Sequence, residues 1–119
     1  MTFPHAPPSW SPDVLSDLVQ LLELPEGWNS YHARRVEFDA VKYAIEVLFG
    51  SADRHTPRPS IVPTARGGVQ VEWHGENDIE IEVLPSGRIE FLFGDQETEF
   101  DSFTEAIPEI RRELREIAR

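Results

Sequence analysis

GVQVEWHGENDIEIEVLPSGRIEFLFGDQETEFD, residues 68–101 of a 119-residue chain, is the stretch whose reading decides the fold. Val69, Val71 and Trp73 alternate with Gln70, Glu72 and His74; Ile79, Ile81 and Val83 alternate with Asp78, Glu80 and Glu82; Ile89, Phe91 and Phe93 alternate with Arg88, Glu90 and Leu92. A period of two with apolar residues on one side is the mark of strands buried on one face. The stretch therefore predicts an antiparallel sheet with one greasy and one acidic surface.

Turn length and face must agree, because a one-residue slip would send every apolar side chain to the wrong side. A three-residue loop Gly75-Glu-Asn77 pairs Trp73 with Ile79 and Val71 with Ile81. A second, Pro85-Ser-Gly87, pairs Val83 with Ile89 and Ile81 with Phe91, with glycine in the left-handed position. A two-residue Gly94-Asp95 turn pairs Ile89 with Phe100 and Phe91 with Thr98. The outer face then carries one row Glu82, Glu90, Glu99 and a second row Glu72, Glu80, Leu92, Glu97.

These 34 residues hold ten carboxylates and one base, Arg88, and so carry nine of the chain's eleven net negative charges. Like charges opposed across strands destabilise a sheet, each pair by roughly 0.2–1 kcal/mol. A sequence shaped for stability alone would mix in lysines, and replacing Glu90 by lysine is expected to relieve the repulsion. Three readings of the face stand: a solvated surface that keeps the protein in solution, a face kept acidic for a basic partner, and carboxylates gathered for metal or acid–base chemistry.

The length fits a single domain with one core. The chain has no cysteine, which removes disulfides, zinc–thiolate sites and thiol catalysis. Its start has no basic region followed by an apolar run, and no stretch approaches the roughly 18 apolar residues of a membrane span. The expectation is a soluble, cytoplasmic protein. A net charge of −11 argues against direct binding of nucleic acid, whose phosphates call for a basic footprint.

Residues 1–10, with Pro4, Pro7 and Pro8, read as an extended arm pinned by Phe3 or Trp10, and residues 11–119 as one α+β domain. Ser11-Pro-Asp13 predicts a helix start with serine as cap, the helix running to about Leu24 on a stripe of Val14, Leu15, Leu18, Leu21 and Leu22. A second helix is expected from about Glu37 to Phe49 and ended by Gly50. Residues 51–60 read as a surface loop, and Ser60-Ile-Val-Pro63 as a short strand in which Pro63 must lie either on a sheet edge or at the strand's end. Ser102-Phe-Thr-Glu105 opens a C-terminal helix as a capping box, with a kink or restart at Pro108 and Arg111, Arg112 and Arg115 on an exposed mixed-charge face.

Between the first two helices lies Pro25-Glu-Gly-Trp-Asn-Ser-Tyr-His-Ala-Arg-Arg35. A short connector has no need of Trp28 and Tyr31. They either plug one end of the core or, with His32, Arg34 and Arg35, line a pocket. The order Leu24-Pro-Glu-Gly-Trp-Asn-Ser-Tyr-His-Ala33, helix, Pro59-Ser-Ile-Val-Pro-Thr64, Gly67-Gly-Val-Gln-Val-Glu-Trp73 and Ile79-Glu-Ile-Glu-Val83 resembles a family of small bacterial proteins with no established activity. The likeness covers roughly residues 24–92. It implies a bacterial or phage-related source and a connector that forms one unit with the strand from Gly67. It implies no catalytic residue.

No metal-ligand spacing links His5, His32, His55 and His74, and no phosphate loop, nucleophile elbow or dinucleotide fingerprint occurs. The catalytic arrangement closest to hand would set Glu72 and Glu80 beside His74 and His32, on a sheet face that is open unless something covers it. The reading favoured is a protein without catalytic residues, cofactor or metal. Its Glu72, Glu80, Glu82, Glu90, Leu92, Glu97 and Glu99 would meet the basic surface of a partner protein, for instance a bacterial nucleic-acid-handling protein held by an inhibitor, an antitoxin or a DNA mimic. The alternative is a homodimeric structural or small-ligand-binding module using the aromatic connector.

Overall fold

The computed structural model describes residues 7–118. The alternating stretch forms β2 (Val69–Trp73), β3 (Ile79–Val83), β4 (Ile89–Phe93) and β5 (Gln96–Phe100), and β1 (Ser60–Pro63) joins them. The five strands make one antiparallel sheet in chain order. The expected register holds throughout: Val71 lies opposite Ile81, Ile81 opposite Phe91, and Phe91 opposite Thr98. Turn chemistry enforces it. Gly87 takes φ +95° and its N–H donates to the Leu84 carbonyl at 2.9 Å, while the Leu84 N–H donates to Arg88 O at 3.0 Å. Gly94 supplies φ +63° at the tighter turn, a conformation that costs glycine nothing.

Val69, Val71, Ile79, Ile81, Val83 and Ile89 are almost wholly withdrawn from water on the inner face. Three helices cover that face: α1 (Ser11–Gln20), α2 (Phe38–Ser51) and α3 (Phe103–Ile117). α2 packs on β2 and β3, α3 lies over β4 and β5, and α1 rests on α2 and β1. The fold is therefore α+β, with all helices on the apolar side of the sheet and the acidic side uncovered by any of them.

Helix ends depart from the sequence reading in instructive ways. Trp10, not Ser11, stands at the cap of α1, and the Ser11 hydroxyl turns back to donate to the Pro8 carbonyl at 2.6 Å. The helix ends at Gln20 and a 3-10 turn, Leu21–Glu23, completes the expected span. Gly50 does not end α2; the helix continues to Ser51. A Cβ at Gly50 would lie 2.7 Å from Ile107 Cδ1, so the residue is there to let α3 come close. At that crossing the Gly50 carbonyl accepts from Arg111 Nη2 at 2.7 Å, and Arg111 is a tie between helices rather than part of a solvated face.

α3 runs unbroken through Pro108 rather than restarting. Ser102 caps it by accepting from the Glu105 N–H, as the capping-box pattern led one to expect, while Glu105 Oε2 accepts from the Asp101 N–H, one residue before the cap. The buried line Ala106, Ile110, Leu114 continues across the proline. Continuous packing outweighs the hydrogen bond that proline lacks.

The segment after α2 is only partly a surface loop, since Ala52 and Thr56 are buried. Two indoles hold it from opposite sides: Trp10 Nε1–H donates to Thr56 O at 2.8 Å and Trp73 Nε1–H to Pro57 O at 2.7 Å. Of the expected N-terminal arm, Phe3 lies outside the described residues. Its inner end, at Trp10, is fixed in the core.

Candidate functional site

Outward-facing residues of β2 to β5 build the acidic surface. Glu72 lies directly opposite Glu80, Glu82 opposite Glu90, and Glu90 opposite Glu99. Glu80 and Glu97 flank Leu92 across β4. The sheet thus brings together all seven of Glu72, Glu80, Glu82, Glu90, Leu92, Glu97 and Glu99. A shallow groove of about 110 Å³ runs among Gln70, Glu80, Glu90, Leu92 and Glu97. That is smaller than the roughly 300–1,000 Å³ of a small-molecule pocket.

The expected repulsion along the first row is not there. Arg66 reaches over from the loop between β1 and β2 and places Nη2 2.6 Å from Glu82 Oε1 and 2.8 Å from Glu90 Oε1. Its Nε adds a bond to Glu82 Oε2 at 3.3 Å. The hydrogen bonds to Glu82, then to Glu90, raise the arginine's pKa above its ordinary value. Arg88 pairs with Glu99 at the end of the row. Two guanidiniums thus convert three opposed glutamates into an alternating network.

This reverses the expectation for Glu90→Lys. The new ammonium would face Arg66 and strip it of one partner, so the substitution should lower stability, by up to about 1 kcal/mol, instead of raising it. A urea midpoint moved upward would show that Arg66 does not hold the row.

The second row is different. Glu72 keeps its carboxylate between Gln70 Nε2 at 2.8 Å and His74 Nε2 at 3.6 Å. Glu80 and Glu97 have no hydrogen bond or ion pair to any base among the described residues. The carboxylate repulsion read from the sequence is therefore concentrated here, around Leu92.

Sequence reading missed Arg66 because the acidic count began at Gly68. The signal was present in the hairpin. Pro63 pairs with Val69, so the intervening loop folds back at one end of β2, and Val69 in turn lies opposite Val83, the residue after Glu82. A long base at the loop's tip can then reach Glu82.

The loop owes its shape to the connector. Arg34 N–H donates to Ala65 O and Glu37 N–H to Gly67 O, both at 3.0 Å, and Arg34 forms a β-bridge with Arg66. Connector and loop are one structural unit. Its core anchors are Ala33 and Val36, both buried, and not the aromatics. Tyr31 is 79% exposed, which rules out its plugging the core. Trp28 is half-buried and donates to the Arg34 carbonyl at 3.2 Å, closing the connector on itself. Asn29 Oδ1 accepts from the Tyr31 and Ala33 N–H groups within the same turn. The five connector residues Trp28, Tyr31, His32, Arg34 and Arg35 line none of the main clefts. Of the five, Arg34 bridges to Arg66 through its backbone, and Trp28 holds the Arg34 carbonyl.

A hollow of about 670 Å³ opens at the far end of the sheet among Arg58, Glu72, Trp73, His74, Phe93 and Glu116. His74 there lies 3.6 Å from Glu72 and 3.5 Å from Asp78. His32 is in the connector, so the four-residue arrangement of Glu72, Glu80, His74 and His32 does not assemble in any of these clefts. Among the described residues no group of three or more His, Asp or Glu is placed to hold a metal ion. Nor is any helix among them long and apolar enough to cross a membrane.

Fold and site together define an α+β domain with helices on one side of a five-stranded meander and an open, acidic β-surface on the other. Compared with protein-family models, curated proteins and solved structures, the chain matches none of them.

Proposed function

We propose that this domain is a non-enzymatic interaction module whose outer sheet face, through Glu72, Glu80, Leu92 and Glu97, docks on a basic surface of a partner protein. One observation carries the reading. The chain neutralises the row Glu82, Glu90, Glu99 with two arginines and leaves the adjoining row, on the same open surface, without a base at Glu80 or Glu97. A face shaped only for solubility has no reason for that division. An acidic patch around a central apolar residue suits a partner that offers lysines and arginines around an apolar spot. Basic surfaces of that kind belong above all to proteins that handle nucleic acid, which makes an inhibitor or antitoxin-like role, with carboxylates standing where phosphates would, the natural assignment.

The test uses two doubly substituted proteins of equal net charge. Glu80→Gln with Glu97→Gln removes the free carboxylates of the face; Glu23→Gln with Glu26→Gln removes two exposed ones on the helical side. Proteins captured from a bacterial lysate by the parent should include a basic partner that elutes with rising salt. That partner should be lost from the first variant and retained by the second. Equal capture by both would reduce the acidic face to a solvated surface.

A further inference from the structure

The surface has an open side, and it lies beside the free carboxylates. β5 pairs with β4 and with no other strand among the described residues, and Gln96, Glu97, Thr98 and Glu99 are all exposed. The two-residue turn closes on the pair Phe93–Gln96, which as the end of such a hairpin exchanges its backbone hydrogen bonds. Alternation along the antiparallel ladder then makes Phe91–Thr98 and Ile89–Phe100 the other bonded pairs. The N–H and C=O groups of Glu97 and Glu99 are left pointing away from β4, into the open edge.

The opposite edge is a poorer template: β1 has only four residues and ends at Pro63, which has no N–H to donate. β5 contains neither proline nor glycine. Its inner side borders a cleft of about 310 Å³ between the sheet and α3, where Phe91, Phe93 and Thr98 form part of the wall. An added strand would find hydrogen-bonding groups along its length, carboxylates on one side and, on the other, a cleft with Phe91 and Phe93 on its sheet wall and Glu109, Arg112 and Glu113 on its helix wall.

The charge selects the occupant. Arg88 already pairs with Glu99, so the unrelieved carboxylate of this edge is Glu97, which a second copy of this chain would set against Glu99, Glu97 or Asp101 in the antiparallel registers that use these groups. That is the like-charge opposition sheets avoid. We infer that the free edge of β5 accepts an extended segment of the partner protein as a sixth strand, with a lysine or arginine facing Glu97 and the alternate residues facing the cleft below. This inference rests on the proposed basic partner and adds to it the strand pairing by which that partner is held.

A short peptide of alternating lysine and valine serves as the probe, with the full chain isotopically labelled. A control peptide carries the same side chains but a methyl group on each lysine backbone nitrogen. It keeps every charge and loses the donors that face β5. The unmethylated peptide should bind and slow hydrogen exchange at the Glu97 and Glu99 amides, and methylation should weaken binding by about tenfold or more while abolishing that protection. Equal binding of the two peptides would overturn the added strand and leave a basic ligand lying on the face, so the proposed function would survive. Failure of the unmethylated peptide to bind, or binding without protection of either amide, also overturns the inference. The proposed function is then decided by the paired carboxamide variants.

Discussion

Trp10→Ala should destabilise the protein by about 3–5 kcal/mol, the range for emptying a buried tryptophan site. Only 8% of Trp10 is exposed; its ring lies 5.9 Å from that of Phe49, and its indole N–H is the hydrogen-bond partner of Thr56 O. Truncation opens a cavity where α1, α2 and the segment before β1 meet, and leaves a carbonyl next to a buried threonine without its donor. Set against a total stability of about 5–15 kcal/mol, this is a large fraction. The same change at half-buried Trp28 removes less packing and should cost about 1–2 kcal/mol. Chemical denaturation of the two variants side by side checks the ranking. If Trp28→Ala proved the more damaging, the connector would be carrying the core in a way the packing described here does not allow.

Gly68→Ala should cost about 1–3 kcal/mol, as forcing extra atoms into a closed site does. A Cβ at Gly68 would lie 2.5 Å from the Val83 carbonyl oxygen, a backbone atom of the adjacent strand that cannot swing aside. Relief requires the loop to move away from β3. The loop carries Arg66, so the damage should spread: with Arg66 drawn off Glu82 and Glu90, the first row of the face reverts to unrelieved like charges. Arg66→Ala made on the Gly68→Ala background should therefore cost less than Arg66→Ala alone. Equal costs on both backgrounds would separate the glycine from the charge network.

The sheet was legible because two independent signals, side-chain alternation and turn length, had to agree and did so at three hairpins. The helices were legible as amphipathic stripes but not at their ends. A serine followed by proline at Ser11-Pro12 satisfies the usual cap rule, yet burial of Trp10 pulls the cap one residue back. Gly50 resembles a helix terminator until Ile107 of α3 is placed against it. Tyr31 reads as core because it is large and aromatic, but the turn around Asn29 turns it to solvent. What side-chain alternation along β2 to β5 does not display is a contact made from outside those strands. Arg66 neutralises Glu82 and Glu90 from 16 and 24 residues away, and a charge count confined to the strands sees only repulsion.

The division of the acidic face into a neutralised row and an open one is the centre of this account, and association kinetics with the captured basic partner test it most directly. The association rate should fall steeply as salt rises for the parent protein and for the variant with Glu23→Gln and Glu26→Gln. For the variant with Glu80→Gln and Glu97→Gln it should be slower at low salt and markedly less salt-dependent. Coincident rate–salt curves for all three proteins would contradict the account, because they would show that Glu80 and Glu97 do not meet the partner.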